Sequence, residues 1–132
     1  MKTIFSKIID KEIPCYLVAE NNFAIAFMDI NPVAKGHVLV VPKIQVDYLF
    51  DLDDDTYHKL WDFVKLVSKG IKKTIHCNRV GVSVVGLEVP HAHVHLIPIN
   101  SVSDMNFSNK VDISSEEIER MSIDISNTLL QI

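Results

Sequence analysis

The stretch from Asp53 to His76 constrains the fold of this chain more than any other. Tyr57, Leu60, Trp61, Val64, Val67, Ile71 and Ile75 recur at spacings of three and four, so they share one face of a helix. Asp53, Asp54 and Asp55 crowd its start, and Lys69, Lys72, Lys73 and His76 crowd its end; both groups suit the helix dipole. Short β-type runs stand on either side. Before the helix come Cys15 to Glu20 and Phe23 to Asp29, joined by the turn Asn21-Asn22 as a hairpin. Next, past the loop marked by Asn31-Pro32 and Lys35-Gly36, is the β-branched run His37 to Val41, ended by Pro42. After the helix come Val80 to Val85 and His91 to Ile97, the second stopped by Pro98. The first residues, Ile4 to Ile9, form one helical turn or a short strand, broken at Ile13-Pro14. Residues 99 to 113 are a polar loop. Ser114 and Glu117 then write a capping box, and Ile118, Met121, Ile125 and Leu129 give a terminal amphipathic helix. The order β-β-β-α-β-β-α predicts an α+β domain. Its sheet is mainly antiparallel and five-stranded, with a long central helix and an extra C-terminal helix.

A chain of 132 residues is the size of one domain, expected to span 1–132. At 48% hydrophobic and 23% charged it has enough apolar mass for a core. A net charge of -4 excludes the basic surface that nucleic-acid binding uses, although a few local donors still hold a small anion. No signal peptide and no apolar run of about 20 residues is present, so no membrane association and a cytoplasmic location are expected. Cys15 and Cys77 fit no zinc or redox spacing and read as reduced thiols.

Three of the six histidines fall between positions 91 and 95. Alternate strand residues share a face, about 6.6–6.8 Å apart, so His91, His93 and His95 would line one side with Ala92, Val94 and Leu96 behind. Aligned imidazoles are costly to bury unless each is paired, so the cluster calls for a function. Two chemistries fit. His-x-His can supply two ligands of a zinc site, with His37 a third and no other convincing donor nearby. Alternatively, neutral imidazole attacks phosphorus near neutral pH while its neighbours donate to phosphate oxygens or shuttle protons. Spacing alone leaves both open.

The run His91-Ala92-His93-Val94-His95-Leu96-Ile97 resembles the signature His-φ-His-φ-His-φ-φ of the histidine triad (HIT) family, φ being apolar. Four more blocks look like that family, in the right order: Ile4-Phe5-Ser6-Lys7-Ile8, Glu12-Ile13-Pro14, Ala26 to Pro32, and Gly36 to Lys43. The resemblance covers roughly residues 3 to 98. It implies a HIT-like fold and a nucleotide hydrolase or transferase acting at the α-phosphorus. The substrate would be a purine nucleotide, a nucleoside phosphoramidate or a dinucleoside polyphosphate. Carried over, His93 is the nucleophile and forms a nucleotidyl-histidine intermediate. His95 and His37 contact the phosphate, and His91 shapes the site. Asp29 accepts hydrogen bonds from the ribose, and Ile4, Phe5, Phe27 and Ile30 form the slot for the base. No cofactor and no metal enter this chemistry, and a homodimer is expected. Without the family, the slot residues read as core, Asp29 as a turn former and His37 as a residue that starts a strand. His58 and His76 fall on the predicted helix and receive no role.

The chain departs from the family pattern in two places. Many bacterial members bind a structural zinc through residues whose counterparts here look like Thr3, Ser6 and Gln45; these are poor ligands, so no structural zinc is expected. The loop before the triad is shortened. Leu87 stands where a glutamine is common, and Ser83 takes the place of an asparagine. Substrate contacts are assigned to Ser83, Glu88 and Val89, with backbone N–H groups of Gly86 to Val89 as phosphate donors; Pro90 offers none. Two other functions compete: a zinc-dependent hydrolase using the same histidines, and a non-catalytic nucleotide-binding regulator.

Overall fold

The structure, a computed structural model, describes residues 1–132. The long periodic segment is helix α2, Asp54–Thr74. Asp53 caps it by accepting the Thr56 N–H at 3.2 Å, and Lys72 and Lys73 lie in its last turn. The short N-terminal stretch is helical: α1, Ile4–Ile9, capped by Thr3. The C-terminal helix, α3, spans Ser115–Leu129. Ser114 Oγ accepts the Glu117 N–H at 3.1 Å, but the expected capping box is not closed. The Glu117 carboxylate turns to Lys35 instead, at 3.3 Å. None of the helices is long and apolar enough to cross a membrane.

The strands are β1 (Leu17–Glu20), β2 (Ala24–Met28), β3 (Val38–Pro42), β4 (Arg79–Ser83) and β5 (Val94–Ile99). They form one sheet in the order β1-β2-β3-β5-β4, antiparallel at every pairing. Side-chain alternation sorts the sheet residues into two layers. Ala26, Met28, Val38, Val40, Val94 and Leu96 join Leu60, Val64, Val67 and Ile71 of α2 and Ile118 and Ile125 of α3 in the main core. On the opposite face, Ile25, Phe27, Leu39 and Val41 pack under Phe5 and Ile8 of α1. The central strands β2 and β3 are therefore buried on both sides, which is why they read as unbroken apolar runs.

Element ends also differ from the sequence expectation; the fourth strand is Arg79–Ser83 rather than Val80 to Val85. The fifth strand starts at Val94, not His91, and passes through Pro98 to Ile99. Pro98 lies beyond the last β3–β5 pair, Val38 with Leu96, where β5 has only β4 beside it; its missing N–H costs the β3 ladder nothing. His76 lies past the end of α2, which stops at Thr74.

Candidate active site

The sheet brings Phe27, Leu39, His95 and Ser83 into one row. Phe27 pairs with Leu39, Leu39 with His95, and His95 with Ser83. Directly opposed residues of antiparallel strands point to the same side, so Ser83 and His95 share the α1 face. His37 stands just before β3, after a turn at Gly36 with φ +91, a conformation that favours glycine.

His91 and His93 are not on the strand. The His91 N–H bonds to Val89 O at 2.8 Å and the Ala92 N–H to Val46 O at 2.7 Å, so residues 91–93 run as an irregular segment tied to the chain that follows β3. The imidazoles therefore do not line one strand face at equal intervals. His91 is wholly buried, with Nε2 2.8 Å from Pro42 O and Nδ1 3.2 Å from Thr3 Oγ1. His93 and His95 remain neighbours, ring centroids 5.0 Å apart, and the Phe5 ring meets His93 at 4.9 Å.

Each hydrogen-bond partner dictates where a neutral ring keeps its proton, because one ring nitrogen donates and the other accepts. Burial pushes the pKa of His37 down to about 4 and that of His95 to about 3, and lowers His91 as well; these three rings are neutral at pH 7. The Val33 N–H donates to His37 Nδ1 at 3.1 Å. His37 Nε2 therefore carries the proton and donates it to His95 Nδ1 at 3.0 Å. That leaves His95 with its own proton on Nε2. The carbonyl of His91 only accepts, so His93 donates Nδ1–H to it at 2.8 Å, and the lone pair of the imidazole falls on Nε2. A lone pair and an N–H donor thus sit on adjacent rings, an arrangement able to attack an electrophile and hold the oxygen that gains charge.

Asp29 takes the place of a turn former and also faces the histidines. Its Oδ1 accepts the Asn31 N–H at 2.7 Å, as a turn former does, while Oδ2 lies 3.5 Å from His37 Nε2. One ligand atom each from Asp29, His37 and His95 falls within 4.8 Å of the others. The zinc alternative therefore gains a carboxylate that sequence spacing did not reveal. A cation there would have to displace the His37–His95 hydrogen bond.

The other expected contacts divide into two groups. Phe5 and Phe27 are buried with ring centroids 5.7 Å apart, whereas Ile4 and Ile30 are exposed. Ile4, Glu88 and Val89 line a cavity of about 420 Å³ with Lys2, Gln45 and Pro90; Phe27, Asp29 and Ile30 do not reach it. Leu87 points into solvent at 88% exposure, so it contributes nothing to this site. The N–H groups of Gly86 to Val89 make no backbone hydrogen bond within the chain. Thr3, Ser6 and Gln45 do come together, but with hydroxyl and amide groups hydrogen-bonded to one another.

Phe107 also belongs to the site, although no motif in the sequence singles it out. The polar segment 99–113 carries a 3₁₀ turn, Val102–Met105, and is pinned to the other side of the site by Val111 N–H to Pro32 O at 2.9 Å. Phe107 lies edge-on to His95 at 4.8 Å and 6.3 Å from His37. Lys110 is close enough to help keep both rings uncharged. An aromatic residue alone in a polar run was the only available signal.

Comparison with known proteins identifies the family. The family model described as the HIT domain matches residues 10–102. The adenosine 5'-monophosphoramidase of Schizosaccharomyces pombe is 33% identical over 132 residues, spanning 98% of this chain and 99% of that protein. The purine nucleoside phosphoramidase of Escherichia coli is 33% identical over 106 residues, 73% of this chain and 86% of its own. A solved structure of a HIT-like protein from Bartonella henselae superposes with a TM-score of 0.83 at 32% identity, covering 96% of each chain. Motif, sheet order and relatives together make this chain a member of the HIT family.

Proposed function

We propose that this protein is a nucleotide phosphoramidase-type hydrolase or transferase that works through a nucleotidyl intermediate on His93. The observation that carries it is the His91 carbonyl, which holds the proton on His93 Nδ1 and leaves Nε2 free beside the Nε2–H of His95. The Nε2–P bond forms as the P–N or P–O bond to the leaving group breaks, and the leaving group takes up a proton from solvent. Water then attacks phosphorus, the P–Nε2 bond breaks, and His93 is regenerated; a covalent route divides one hard displacement into two easier ones. His95 Nε2–H, backed by His37, steadies the phosphoryl oxygens, and the free N–H groups of Gly86 to Val89 stand in for the side chain that Leu87 lacks. Ser83 shares the His95 face. Asp29 takes the ribose hydroxyls, Phe5, Phe27, Ile4 and Ile30 the base, and Glu88 and Val89 bound the far end. The whole chain acts as a single HIT domain, as a homodimer and in the cytoplasm. Sedimentation equilibrium at twice the chain mass tests the dimer.

The deciding experiment is intact mass spectrometry after brief mixing with adenosine 5′-phosphoramidate. A nucleotidyl adduct is expected in the wild type and absent in His93→Ala, which should also lose hydrolysis; full activity in His93→Ala overturns the assignment. The meeting of Asp29, His37 and His95 favours one second reading, a zinc-dependent hydrolase. Stoichiometric zinc by elemental analysis, with activity lost to chelator, would select it. Nucleotide binding without turnover would select a regulator.

A further inference from the structure

The strongest unassigned feature is a buried polar network at the start of α1. Thr3 and Ser6 cap one another: the Ser6 N–H donates to Thr3 Oγ1 and the Thr3 N–H to Ser6 Oγ, both at 3.0 Å. Both residues are 8% exposed. Ser6 Oγ spends its own proton on Gln45 Oε1 at 2.7 Å, and Gln45 Nε2 donates to Met1 O. The Thr3 hydroxyl proton then has two possible acceptors, Ser6 Oγ at 3.0 Å and His91 Nδ1 at 3.2 Å. The Nε2–H of His91 is committed to Pro42 O, so its Nδ1 is bare and, being wholly buried, has no acceptor role to play except toward Thr3. An unsatisfied buried acceptor is costly, and this directs the Thr3 proton to His91.

We propose that Thr3 is a positioning residue for His93: by donating to His91 Nδ1 it pins the His91 ring at both nitrogens, and so fixes the carbonyl that holds the proton on His93 Nδ1. The hydrogen-bonded path runs from Thr3 Oγ1–H to the His91 ring, through the His91 main chain to its carbonyl, and from there to His93. Residues 91–93 belong to no strand, so the sheet ladder does not fix this carbonyl; its position depends on the side-chain anchor and on the bonds of His91 and Ala92 to Val89 and Val46. The same helix start carries Phe5, which meets His93 edge-on at 4.9 Å, so α1 touches the nucleophile directly as well as acting on it through His91. This inference rests on His93 as the nucleophile.

Thr3→Ser, which keeps the donor, Thr3→Val, which removes it, and Thr3→Gly, which remains an acceptable helix cap but has no side-chain donor, separate this role from mere folding. Imidazole ¹⁵N–¹H spectra of the full chain need no substrate. The wild type and Thr3→Ser should show a slowly exchanging His93 Nδ1–H and a hydrogen-bonded His91 Nδ1. In Thr3→Val and Thr3→Gly the His91 Nδ1 resonance should move and the His93 proton should exchange faster. With phosphoramidate substrate, kcat should fall about tenfold in both at unchanged KM, equal to about 1.4 kcal/mol, the scale of one hydrogen bond. Unchanged His93 spectra in a folded Thr3→Val or Thr3→Gly overturn the proposal, and if Thr3→Val fails to fold, Thr3→Gly decides. If the wild type proves inactive while the spectra shift as described, the nucleophile reading fails and the structural link from Thr3 to His93 stands.

Discussion

Acidification should cost this protein stability well before its carboxylates are protonated. His37 is wholly buried and His95 only 9% exposed, and burial holds their pKa values at about 4 and about 3, against an ordinary 6.5. In the unfolded chain each takes up a proton below about pH 6.5; in the folded protein neither does until well below pH 5. The unfolded state therefore binds more protons across this window, and the free energy of unfolding falls as pH falls. The unfolded imidazole is half protonated at about pH 6.5 and almost fully protonated at about pH 5, so each histidine contributes about 1.6 kcal/mol of loss over that range and the pair removes about 3 kcal/mol. His91, lowered in the same direction by burial, adds to it. Glu20 and Asp104 are lowered carboxylates whose stabilisation is present above their unfolded values near 4.5 and 3.8 and is lost mainly below pH 5. Against a typical stability of about 5–15 kcal/mol the effect is large. Urea unfolding at half-unit steps from pH 7.5 to 5 measures it, and His95→Asn should remove about half of the pair's slope. A stability independent of pH over that range would refute the neutral, mutually bonded His37–His95 pair.

Other outcomes follow from particular contacts. Phe107→Ala admits water to the His95 ring; kcat/KM should fall about tenfold as water competes for the Nε2–H donor, with faster exchange of that proton by NMR. Asp29→Asn should raise KM about tenfold for a ribonucleoside phosphoramidate and leave the 2′,3′-dideoxy analogue nearly unchanged, since one charge-assisted hydrogen bond is worth roughly 1.5–3 kcal/mol. Gly70→Ala sets two effects against each other. Helix propensity favours alanine by about 1 kcal/mol, but its Cβ would lie 2.6 Å from Leu129 Cδ2, and overpacking costs about 1–3 kcal/mol. Denaturant unfolding should show a net loss of about 1 kcal/mol, limited because Leu129 sits at the end of α3 and can shift.

Local periodicity determined the elements of this protein. The stripe from Tyr57 to Ile75 could only be a helix, and the apolar runs of β2 and β3 could only be strands buried on both faces, because each pattern repeats within a few residues and needs no distant partner. The ordered motif blocks likewise pointed to the HIT family and to His91, His93, His95, His37 and Asp29. What sequence alone could not decide was where each proton sits and which groups meet across the chain. His91 and His93 obeyed strand alternation in the sequence yet left the strand, because tertiary bonds to Val89 and Val46 captured their backbone. Asp29 reaches His37 through a turn, Thr3 reaches His91 from 88 residues away, and Phe107 folds over His95 from a run that looked merely polar. Spacing along a chain fixes which side chains share a face, but a nitrogen's lone pair is fixed by the atom opposite it, and that atom is supplied only by the fold.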